Sequence, residues 1–406
     1  MKILYFHQYF STPKGSSGLR SYAMAQALIR DGHSVTMVCG SSKNGSTGLT
    51  IPFTNGVRRG VVEGINVIEF NISASNSMLF HQRAQSFLKF ALKSIKVALK
   101  EDYDIIFTTT TPLTASIPGI AAKWLRRKPF VFEVRDLWPE LPKAMGVITN
   151  PIILWLMSAL EWTAYHSADR LIGLSPGIVE GISKRGIDKR KIATIPNGCD
   201  LDIFSDKSDG WRPNGVAKTD VMAIFTGTHG LANGLDAVVD AAAELQKRNR
   251  QDIKLVLIGD GMKKDSLIKR AKELGLSNLI FHDRVNKAKL AGLMSEADLG
   301  LQILANVPAF YYGTSPNKFF DYIAAGLPVL NNYPGWLAEL IKSEDAGFTV
   351  PPESPTQFAD ALEVAAANRK QLKQMGKNAQ ALAKREFDRA KLAQKFSDWV
   401  TGVKNA

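Results

Sequence analysis

The sequence predicts an α/β fold made of two doubly wound parallel sheets that face each other across a cleft. Three observations predict it. Apolar runs typical of buried strands alternate with helical patterns along the 406 residues. A polar stretch containing Gly and Pro, residues 200–220, separates two such series. The chain is also long enough for two domains that each bury their own core.

In the first series, the strand Ile3–Phe6, a helix over residues 19–30 and the strand Val35–Cys39 show the βαβ rhythm of a parallel sheet. The later strands predicted in this series are Val67–Phe70, Ile105–Thr108, Phe130–Val134 and Leu171–Leu174. These elements define a predicted N-terminal domain, residues 1–200.

The second series defines a predicted C-terminal domain, residues 201–385. Its predicted strands are Val221–Thr226, Lys254–Ile258, Leu279–His282, Leu299–Ile303 and Pro328–Leu330. The tail from about residue 355 is helical in pattern, and we expect a last helix in residues 386–406 to cross back to the first domain. Ligands of open α/β sheets bind beyond the carboxyl ends of the strands, so the loops there should carry the chemistry.

The amino-acid composition limits the compartment and the binding partners that the sequence predicts. The two cysteines make neither a disulfide framework nor a zinc site, which favours a reducing cytosol. The formal charge is +13, and it is uneven: residues 1–200 have 24 Lys and Arg against 14 Asp and Glu, and the remainder has 27 against 24. A basic surface suits nucleic acid, anionic lipid or a phosphorylated acceptor. No recognition module with stacked aromatic residues is evident, so we expect no nucleic acid partner.

The loop after the first predicted strand contains Gly15 and Ser16 and opens a helix. Free backbone N–H groups and the helix dipole favour an anion at such a place. Arg20 lies one turn into the helix and could reach the same anion. A flexible turn and an ordinary surface arginine are the alternatives.

Three charged residues follow a strongly apolar strand. In the segment PFVFEVRDLWPE, residues 129–140, Glu133, Arg135 and Asp136 stand at the strand mouth, which is a common active-site arrangement. The alternative is a structural salt bridge among the three.

The strongest signal is the segment TSPNKFFDYIAAGLPVL, residues 314–330. Asn317 would start a helix whose amino end can bind a diphosphate, and Lys318 adds a full positive charge. Asp321 lies one turn on, on the same helix face, where it could accept two ribose hydroxyls. Alternatively, Lys318 and Asp321 pair with each other. The loops containing Gly227 and Gly259 also let a ligand approach the backbone closely.

We expect no metal and no cofactor. Two DxD spacings, residues 102–104 and 200–202, are short enough to arise by chance. His7, His81 and His282 have no partner at ligand spacing, so core or surface roles are expected for them.

Together these residues resemble the retaining glycosyltransferases of family 4, which have the GT-B fold of two Rossmann-like domains. The chain is similar in particular to the L-fucosamine transferases of O-antigen and capsule loci. The resemblance covers nearly the whole chain, and it rests on the Arg20 helix, the segments GHSV, FEVRDLWPE, SPG and IPNGCD, and SPNKFFDYIAAGLPV.

The resemblance implies a UDP-sugar donor bound mainly by the second domain. Asp321 matches the second acid of the E-x7-E motif, and the first acid falls at Gly313. The diphosphate clamp of the family falls at Thr228 and Asn233, which are uncharged, so the charge should come from Lys318, helped by Arg284. The implied donor-binding set is Gly15, Ser16, Arg20, Gly227, Thr228, Asn233, Gly259, Arg284, Val285, Ser315, Asn317, Lys318 and Asp321.

The resemblance also implies transfer with retention of configuration. Lys318 would stabilise the departing diphosphate, and Asp136 and Glu133 would orient sugar or acceptor hydroxyls. The frequent active-site histidine of the family falls at Arg135, which completes the predicted catalytic set. No covalent nucleophile is expected.

Residues 78–100 alternate apolar side chains with Arg and Lys, a pattern of helices that lie in an anionic lipid interface. A polyprenyl-diphosphate-linked acceptor bound by the first domain, at the cytoplasmic face of the plasma membrane, fits this pattern. A core-packing helix with a solvated lysine face fits it equally well.

Two other classes of protein stay open at this point. The UDP-N-acetylglucosamine 2-epimerases share two facing Rossmann-like domains. A non-catalytic basic binding protein would use the charge of the first half.

Overall fold

The computed structural model describes residues 1–15, 18–41, 46–73, 78, 80–205 and 209–405. It confirms the predicted α/β class with two sheets of Rossmann-like order. The chain divides into two compact units. The first unit comprises residues 1–197, 313–315 and 389–406, and the second comprises residues 198–312 and 316–388.

The first unit is built on a sheet whose described strands number eight, in the order β3-β4-β2-β1-β5-β6-β7-β8. All neighbours are parallel except β3 and β4. The strands are β1 (Lys2–Phe6), β2 (Ser34–Ser41), β3 (Val57–Val62), β4 (Ile65–Ser73), β5 (Ile105–Thr109), β6 (Phe130–Val134), β7 (Arg170–Gly173) and β8 (Ile192–Thr194). The helices are α1 (Arg20–Arg30), α2 (Phe80–Lys100), α3 (Ile117–Arg126), α4 (Glu140–Ala144), α5 (Pro151–Ser167) and α6 (Pro176–Lys184).

Strands of this sheet are buried on both faces, which explains why they are continuous apolar runs in the sequence. Side chains of β1 alternate between two cores: Leu4 and Phe6 pack with Phe90 of α2, and Ile3 and Tyr5 pack with Met24 of α1. Helices α2, α3, α5 and α6 therefore cover one side of the sheet, and α1 covers the other.

The second unit has a parallel sheet of six described strands in the order β11-β10-β9-β12-β13-β14. The strands are β9 (Val221–Thr226), β10 (Ile253–Ile258), β11 (Leu279–His282), β12 (Leu299–Gln302), β13 (Val329–Asn331) and β14 (Gly347–Thr349). The helices are α7 (Leu201–Ser205), α8 (Asp236–Lys247), α9 (Lys264–Glu273), α10 (Lys287–Glu296), α11 (Pro308–Tyr311), α12 (Asn317–Ala324), α13 (Trp336–Ser343), α14 (Pro355–Ala367) and α15 (Arg369–Glu386).

The last helix, α16 (Arg389–Thr401), belongs to the first unit and packs on α1. Leu392, Phe396 and Val400, at helical spacing, bury their side chains in the same core as Tyr5 and Phe107. The Phe396 ring meets the Phe107 ring edge to face, with 4.9 Å between the centroids. Among the helices of the described ranges, none has both the length and the apolar character needed to span a membrane.

Residues 200–220, which separate the two predicted series of strands, belong to the second unit. Residues 201–205 form α7, which packs on α10 and α12. Farther on, the Trp211 indole N–H donates to the Lys289 carbonyl at 2.7 Å, and Arg212 pairs with Glu296 at 3.3 Å. This polar, Gly- and Pro-containing stretch is thus held against the second unit by side chains rather than by strand or helix periodicity.

Candidate functional site

The amino end of α12 lies at the carboxyl end of β9 in the second unit. Phe319, Phe320, Tyr322 and Ile323 bury the inner face of the helix. The backbone N–H of Thr226, the last residue of β9, donates to the Tyr322 hydroxyl at 2.8 Å. The helix starts at Asn317, as predicted, and no side chain caps this end. Its first N–H groups can therefore bind an anion.

Lys318 extends along the β9 loop. Its ammonium group donates to Asn233 Oδ1 at 2.9 Å and lies 4.6 Å from the centroid of the Phe225 ring. Burial lowers the pKa of Lys318 to about 8. The amide of Asn233 in turn donates to the Thr228 carbonyl at 2.7 Å. Lys318 therefore bonds to Asn233 rather than to Asp321, which removes the alternative of a simple Lys318–Asp321 pair.

Two glycines bring the loops after β9 and β10 together. Gly227 and Gly259 have φ angles of 145° and 146°, which side chains rarely allow. A Cβ atom on Gly259 would lie 1.9 Å from the Gly227 carbonyl oxygen, and one on Gly227 would lie 3.2 Å from Lys318 Cε. The glycines thus allow the two loops to pack against each other and Lys318 to lie against the backbone. Their predicted role in ligand approach stays a prediction.

Asp321 lies near a second cation. Lys287 Nζ stands 3.1 Å from Asp200 Oδ2 and 3.6 Å from Asp321 Oδ1. The Asp321 side chain is 16% exposed, so a ligand can still reach it. Its ribose-binding role stays a prediction, and the structure adds Lys287 as a neighbour that balances its charge.

The remaining predicted donor-binding residues are spread around these loops. Arg284 is exposed and Val285 is partly buried in the loop after β11. Ser315 groups with the first unit, where its hydroxyl accepts from the Asn197 backbone N–H at 3.0 Å. Ser16 lies outside the described residues.

Sequence reasoning missed His229, which follows β9. Its side chain is fully buried, and neither ring nitrogen has a hydrogen-bond partner in the structure. Burial, helped by the nearby Lys264, lowers the pKa of His229 to about 4, so the ring is neutral at pH 7. The only signal in the sequence was its position between glycines just after a strand.

In the first unit, the Arg20 and Glu133 side chains form a buried ion pair at the carboxyl end of β6. The Arg20 guanidinium donates to Glu133 at 2.7 Å, to the Ile195 carbonyl at 2.8 Å and to the Pro196 carbonyl at 2.6 Å. The other Glu133 oxygen accepts from the Thr109 hydroxyl at 2.8 Å. Burial opposes ionisation, but Arg20 and Arg135 outweigh it and hold the pKa of Glu133 below its ordinary value.

These contacts correct two predictions. Arg20 is 2% exposed and its donors are taken up by Glu133 and two carbonyl groups, so the geometry does not support binding of a donor anion. Glu133 is fully buried and its oxygens are occupied, which favours the structural ion pair over a hydroxyl-orienting role. Gly15 is also engaged, because its N–H donates to the Thr12 carbonyl at 3.0 Å.

Arg135 and Asp136 remain accessible beside this pair. The Arg135 side chain is 21% exposed, and its Nη1 lies 3.3 Å from His7 Nε2. Asp136 accepts from the Thr111 hydroxyl at 3.2 Å. Burial raises the pKa of Asp136, although Arg135 and Thr111 oppose that shift. Arg135 Nε also lies 3.6 Å from Glu133 Oε1, so part of the alternative salt bridge is present. The catalytic roles of Arg135 and Asp136 stay predictions.

His7 and Gln8 complete the cluster at the end of β1, and both were missed as site residues. Gln8 is 1% exposed, yet neither its amide oxygen nor its amide nitrogen has a partner. His7 Nδ1 is likewise buried without a partner. Burial and Arg135 hold the pKa of His7 well below its ordinary value. Buried polar groups are rarely left unpaired, so an ordered water or a polar group of a ligand is expected to pair with them.

Among the described residues, no group of three or more His, Cys, Asp or Glu side chains is arranged to hold a metal ion. That the reaction needs no metal and no cofactor stays a prediction.

Comparisons with known proteins agree with this geometry. Residues 16–198 match the "Glycosyl transferase 4-like domain" and residues 208–382 match "Glycosyl transferases group 1". The "Uncharacterized glycosyltransferase MJ1607" of Methanocaldococcus jannaschii is 23% identical over 356 residues, which cover 85% of this chain and 83% of that protein.

Two solved structures share the fold. HepE of Anabaena in complex with UDP superposes with a TM-score of 0.69 at 20% identity, covering 99% of this chain and 100% of that one. WaaG, a glycosyltransferase involved in lipopolysaccharide biosynthesis, also gives 0.69, at 18% identity with 99% and 100% covered. The matches favour a glycosyltransferase over an epimerase or a non-catalytic binding protein. Because the two family models together span most of both units and the fold is shared, the chain belongs to the glycosyltransferases of the GT-B fold.

Proposed function

We propose that the protein is a retaining hexosyltransferase of O-antigen, capsule or exopolysaccharide biosynthesis. It takes an N-acetylated hexosamine or 6-deoxyhexosamine from a UDP-sugar and passes it to a saccharide linked to polyprenyl diphosphate. Two proteins with the same fold support this proposal: HepE was crystallised with UDP, and WaaG is involved in lipopolysaccharide biosynthesis.

The position of Lys318 carries the proposal. Its ammonium group, the open amino end of α12 and the backbone at Gly227 meet at the carboxyl end of β9. A nucleoside diphosphate needs both a full positive charge and N–H donors as its charge grows on leaving. A lysine held beside Asn233 in a partly buried setting supplies that charge with little reorganisation.

In the proposed reaction, an acceptor hydroxyl oxygen bonds to the anomeric carbon on the face from which UDP departs. The bond from that carbon to the phosphate oxygen breaks, and its electron pair leaves with UDP. The hydroxyl proton passes to the departing phosphate oxygen, so no enzyme nucleophile is needed. Lys318 and the N–H groups stabilise the departing charge.

We assign binding of the acceptor to the first unit. Asp136 and Arg135 are accessible, and Gln8 and His7 offer unpaired donors and acceptors beside them. Such a mixture of amide, imidazole and carboxylate groups suits sugar hydroxyls, which both donate and accept hydrogen bonds. We place the enzyme in the cytoplasm, at the inner face of the plasma membrane, where a lipid-linked acceptor would be found.

Replacement of Lys318 by Met tests the donor site. Loss of a hydrogen bond to a charged group should weaken UDP binding by about 1.5–3 kcal/mol. Calorimetric titration with UDP measures this directly. Lys272→Met, an exposed lysine of α9, serves as the matched control and should bind UDP as the wild type does.

Unchanged UDP affinity in Lys318→Met would reject the donor site. The reaction itself is tested by incubating the wild type with a panel of UDP-hexosamines and a polyprenyl-diphosphate-linked N-acetylglucosamine, and by reading the anomeric configuration of the product by NMR. Release of an epimerised donor without any transfer would point to the epimerase class instead.

A further inference from the structure

The exposed face of α5 lacks charge. Ile152, Trp155, Leu156 and Trp162 are each more than half exposed, and Trp155 reaches 68%. Together with Ala159, which is also exposed, they recur every three or four residues and form one stripe of the helix. A surface helix ordinarily turns charged and polar residues outward. The outward stripe of α5 therefore reverses the usual pattern along most of its length.

The one carboxylate of α5 does not interrupt this stripe. Glu161 is 2% exposed, and its Oε2 lies 2.7 Å from Arg185 Nη2. The His166 ring stacks on Trp162 at the end of the stripe, with 3.9 Å between centroids. The stripe is thus built from indole and aliphatic groups, with a single imidazole at its end.

Helix α3 continues the apolar surface. Trp124 and Leu125 are 69% and 70% exposed. The Trp124 indole N–H donates to the Ser167 hydroxyl at 2.9 Å, which ties the end of α3 to the end of α5. We call the exposed residues of these two helices the tryptophan face: Trp124, Leu125, Ile152, Trp155, Leu156 and Trp162.

Helix α2 packs on α3 and adds positive charge. The sequence left open whether this helix lies in a lipid interface or packs in the core. Phe90 and Ala91 are buried in the core, while Leu88 and Leu92 are more than half exposed. The exposed positions between and beyond them are Lys89, Lys96, Leu99 and Lys100. Arg127, at the end of α3, is exposed as well.

Helices α2 and α3 contribute no negative charge to this surface. Residues 81–100 and 117–126 contain no Asp or Glu. The two carboxylates directly after α2 are paired, Glu101 with Arg59 at 2.8 Å and Asp102 with Lys2 at 2.5 Å. An uncharged apolar centre with a basic flank is the pattern of surfaces that bind an anionic lipid interface, where Trp sits at headgroup level.

We propose that the outer faces of α2, α3 and α5 form a docking surface for an anionic lipid bilayer. The tryptophan face inserts to headgroup depth, and the lysines of α2 contact acidic headgroups. A contiguous apolar face of this kind would be costly to leave in water on a monomer. The inference rests on the proposed lipid-linked acceptor, and it names the part of the first unit that meets the membrane.

Vesicle flotation tests the surface, using phosphatidylcholine vesicles with and without phosphatidylglycerol. Wild type should float with the anionic vesicles. Trp155→Gln/Leu156→Gln should reduce the partition coefficient by roughly tenfold or more, and Lys89→Glu/Lys96→Glu/Lys100→Glu should do the same only on anionic vesicles. All five side chains are exposed, so the fold should be kept.

Matched controls come from the second unit. Met262→Gln removes a side chain that is 78% exposed, and Lys370→Glu/Lys373→Glu/Lys377→Glu makes the same change of charge on α15. Both should float as the wild type does. A fluorophore on Leu156→Cys should shift to the blue with anionic vesicles, while one on Met262→Cys should not. The native Cys39 and Cys199 are buried and should escape labelling.

Failure of the surface can be told from failure of the enzyme assignment. Every surface variant should keep wild-type UDP affinity, and Lys318→Met should float normally. Equal flotation of Trp155→Gln/Leu156→Gln and wild type would overturn the proposal. A wild-type dimer in sedimentation velocity that this variant converts to a monomer would also overturn it, because the face would then belong to self-association.

Discussion

At the scale of single residues, the place of a side chain in the fold says more about its role than the family motif position at which it stands. Thr228 and Asn233 stand where the resemblance places charged residues, and neither has a charge. The positive charge comes from α12 instead, because Lys318 Nζ donates a hydrogen bond to Asn233 Oδ1. The sequence predicted that Lys318 takes over this charge, but it could not show that Asn233 positions it.

The lowered pKa of Lys318 predicts a pH dependence of UDP binding. The ammonium form binds the diphosphate, so affinity should be full below a pKa of about 8 and fall at higher pH. Each pH unit above that value should cost up to about tenfold in affinity, as long as UDP holds the lysine charged in the complex. Calorimetry from neutral to alkaline pH measures the slope.

The control for that slope is Lys318→Met, which should bind UDP weakly and with no such dependence. His229 does not confuse the result, since its pKa of about 4 lies below this range. An equally steep decline in the methionine variant would show that another group titrates.

Gln8 allows a test that separates function from stability. Its two unpaired amide atoms are buried at a cost when no ligand is present. Gln8→Leu should therefore keep the free energy of unfolding or raise it by about 1 kcal/mol. Transfer to the acceptor should lose about tenfold or more in kcat/KM, because one or two hydrogen bonds to a hydroxyl disappear.

Urea unfolding and steady-state kinetics on the same preparation give both values for Gln8→Leu, and UDP affinity should not change. A purely structural glutamine would show the reverse, with lower stability and normal turnover.

At the scale of elements, the strands that are apolar runs of the sequence were predicted well, and strands β3, β8 and β14 were missed. The bounds of β6, β9 and β11 agree with the sequence prediction residue for residue. Strand β3, with the sequence VRRGVV, is an antiparallel edge with polar residues and was missed. Strands β8 and β14 have three residues each, too few for a period to be read.

The same contrast holds for the site. The start of α12 followed from Pro316 and the apolar spacing behind it, which are local features. The Arg20–Glu133 pair joins residues 113 positions apart, and no local pattern could have paired them. Gln8 and His229 become notable only through burial without partners, which depends on tertiary packing.

The Arg20–Glu133 pair links α1, β6 and the segment after β8, so its loss should loosen this part of the first unit. Arg20→Met leaves Glu133 buried without its strongest partner, which should cost about 3–5 kcal/mol. Arg59→Met removes an exposed partner of Glu101 and should cost at most about 1 kcal/mol. Chemical unfolding followed by circular dichroism compares the two.

The sign of the pH effect gives a second check on the Arg20–Glu133 pair. Glu133 has a pKa below its ordinary 4.5 in the folded protein, so the pair stabilises above that value and loses its effect as pH falls through the folded pKa. The stability difference between wild type and Arg20→Met should therefore be largest near neutral pH. A difference that grows on acidification would contradict this account.

At the scale of the whole molecule, the first unit needs the last helix of the chain. Phe396 of α16 is fully buried against Phe107 and Tyr5. Phe396→Ala should destabilise the first unit by about 3–5 kcal/mol through the cavity it leaves. Hydrogen exchange should show loss of protection in β1 and β5 but not in β9 and β10.

As long as the protein is folded, Phe396→Ala should leave UDP binding by the second unit unchanged. UDP affinity measured at low temperature should equal that of the wild type. A loss of UDP binding comparable to that of Lys318→Met would mean that the two units are coupled in stability. Leu274→Ala, a partly exposed position at the end of α9, is the matched control and should change neither property.

Strand β1 and helix α16 both belong to the first unit, although nearly all of the second unit lies between them in the sequence. The second unit is therefore an insertion within the first, entered at residue 198 and left at residue 388, with only residues 313–315 returning in between. A chimera that replaces the second unit with the corresponding domain of another enzyme therefore needs two junctions, one near residue 198 and one near residue 388. A chimera with a single junction would take α16 from the other enzyme and leave the first unit without its own last helix.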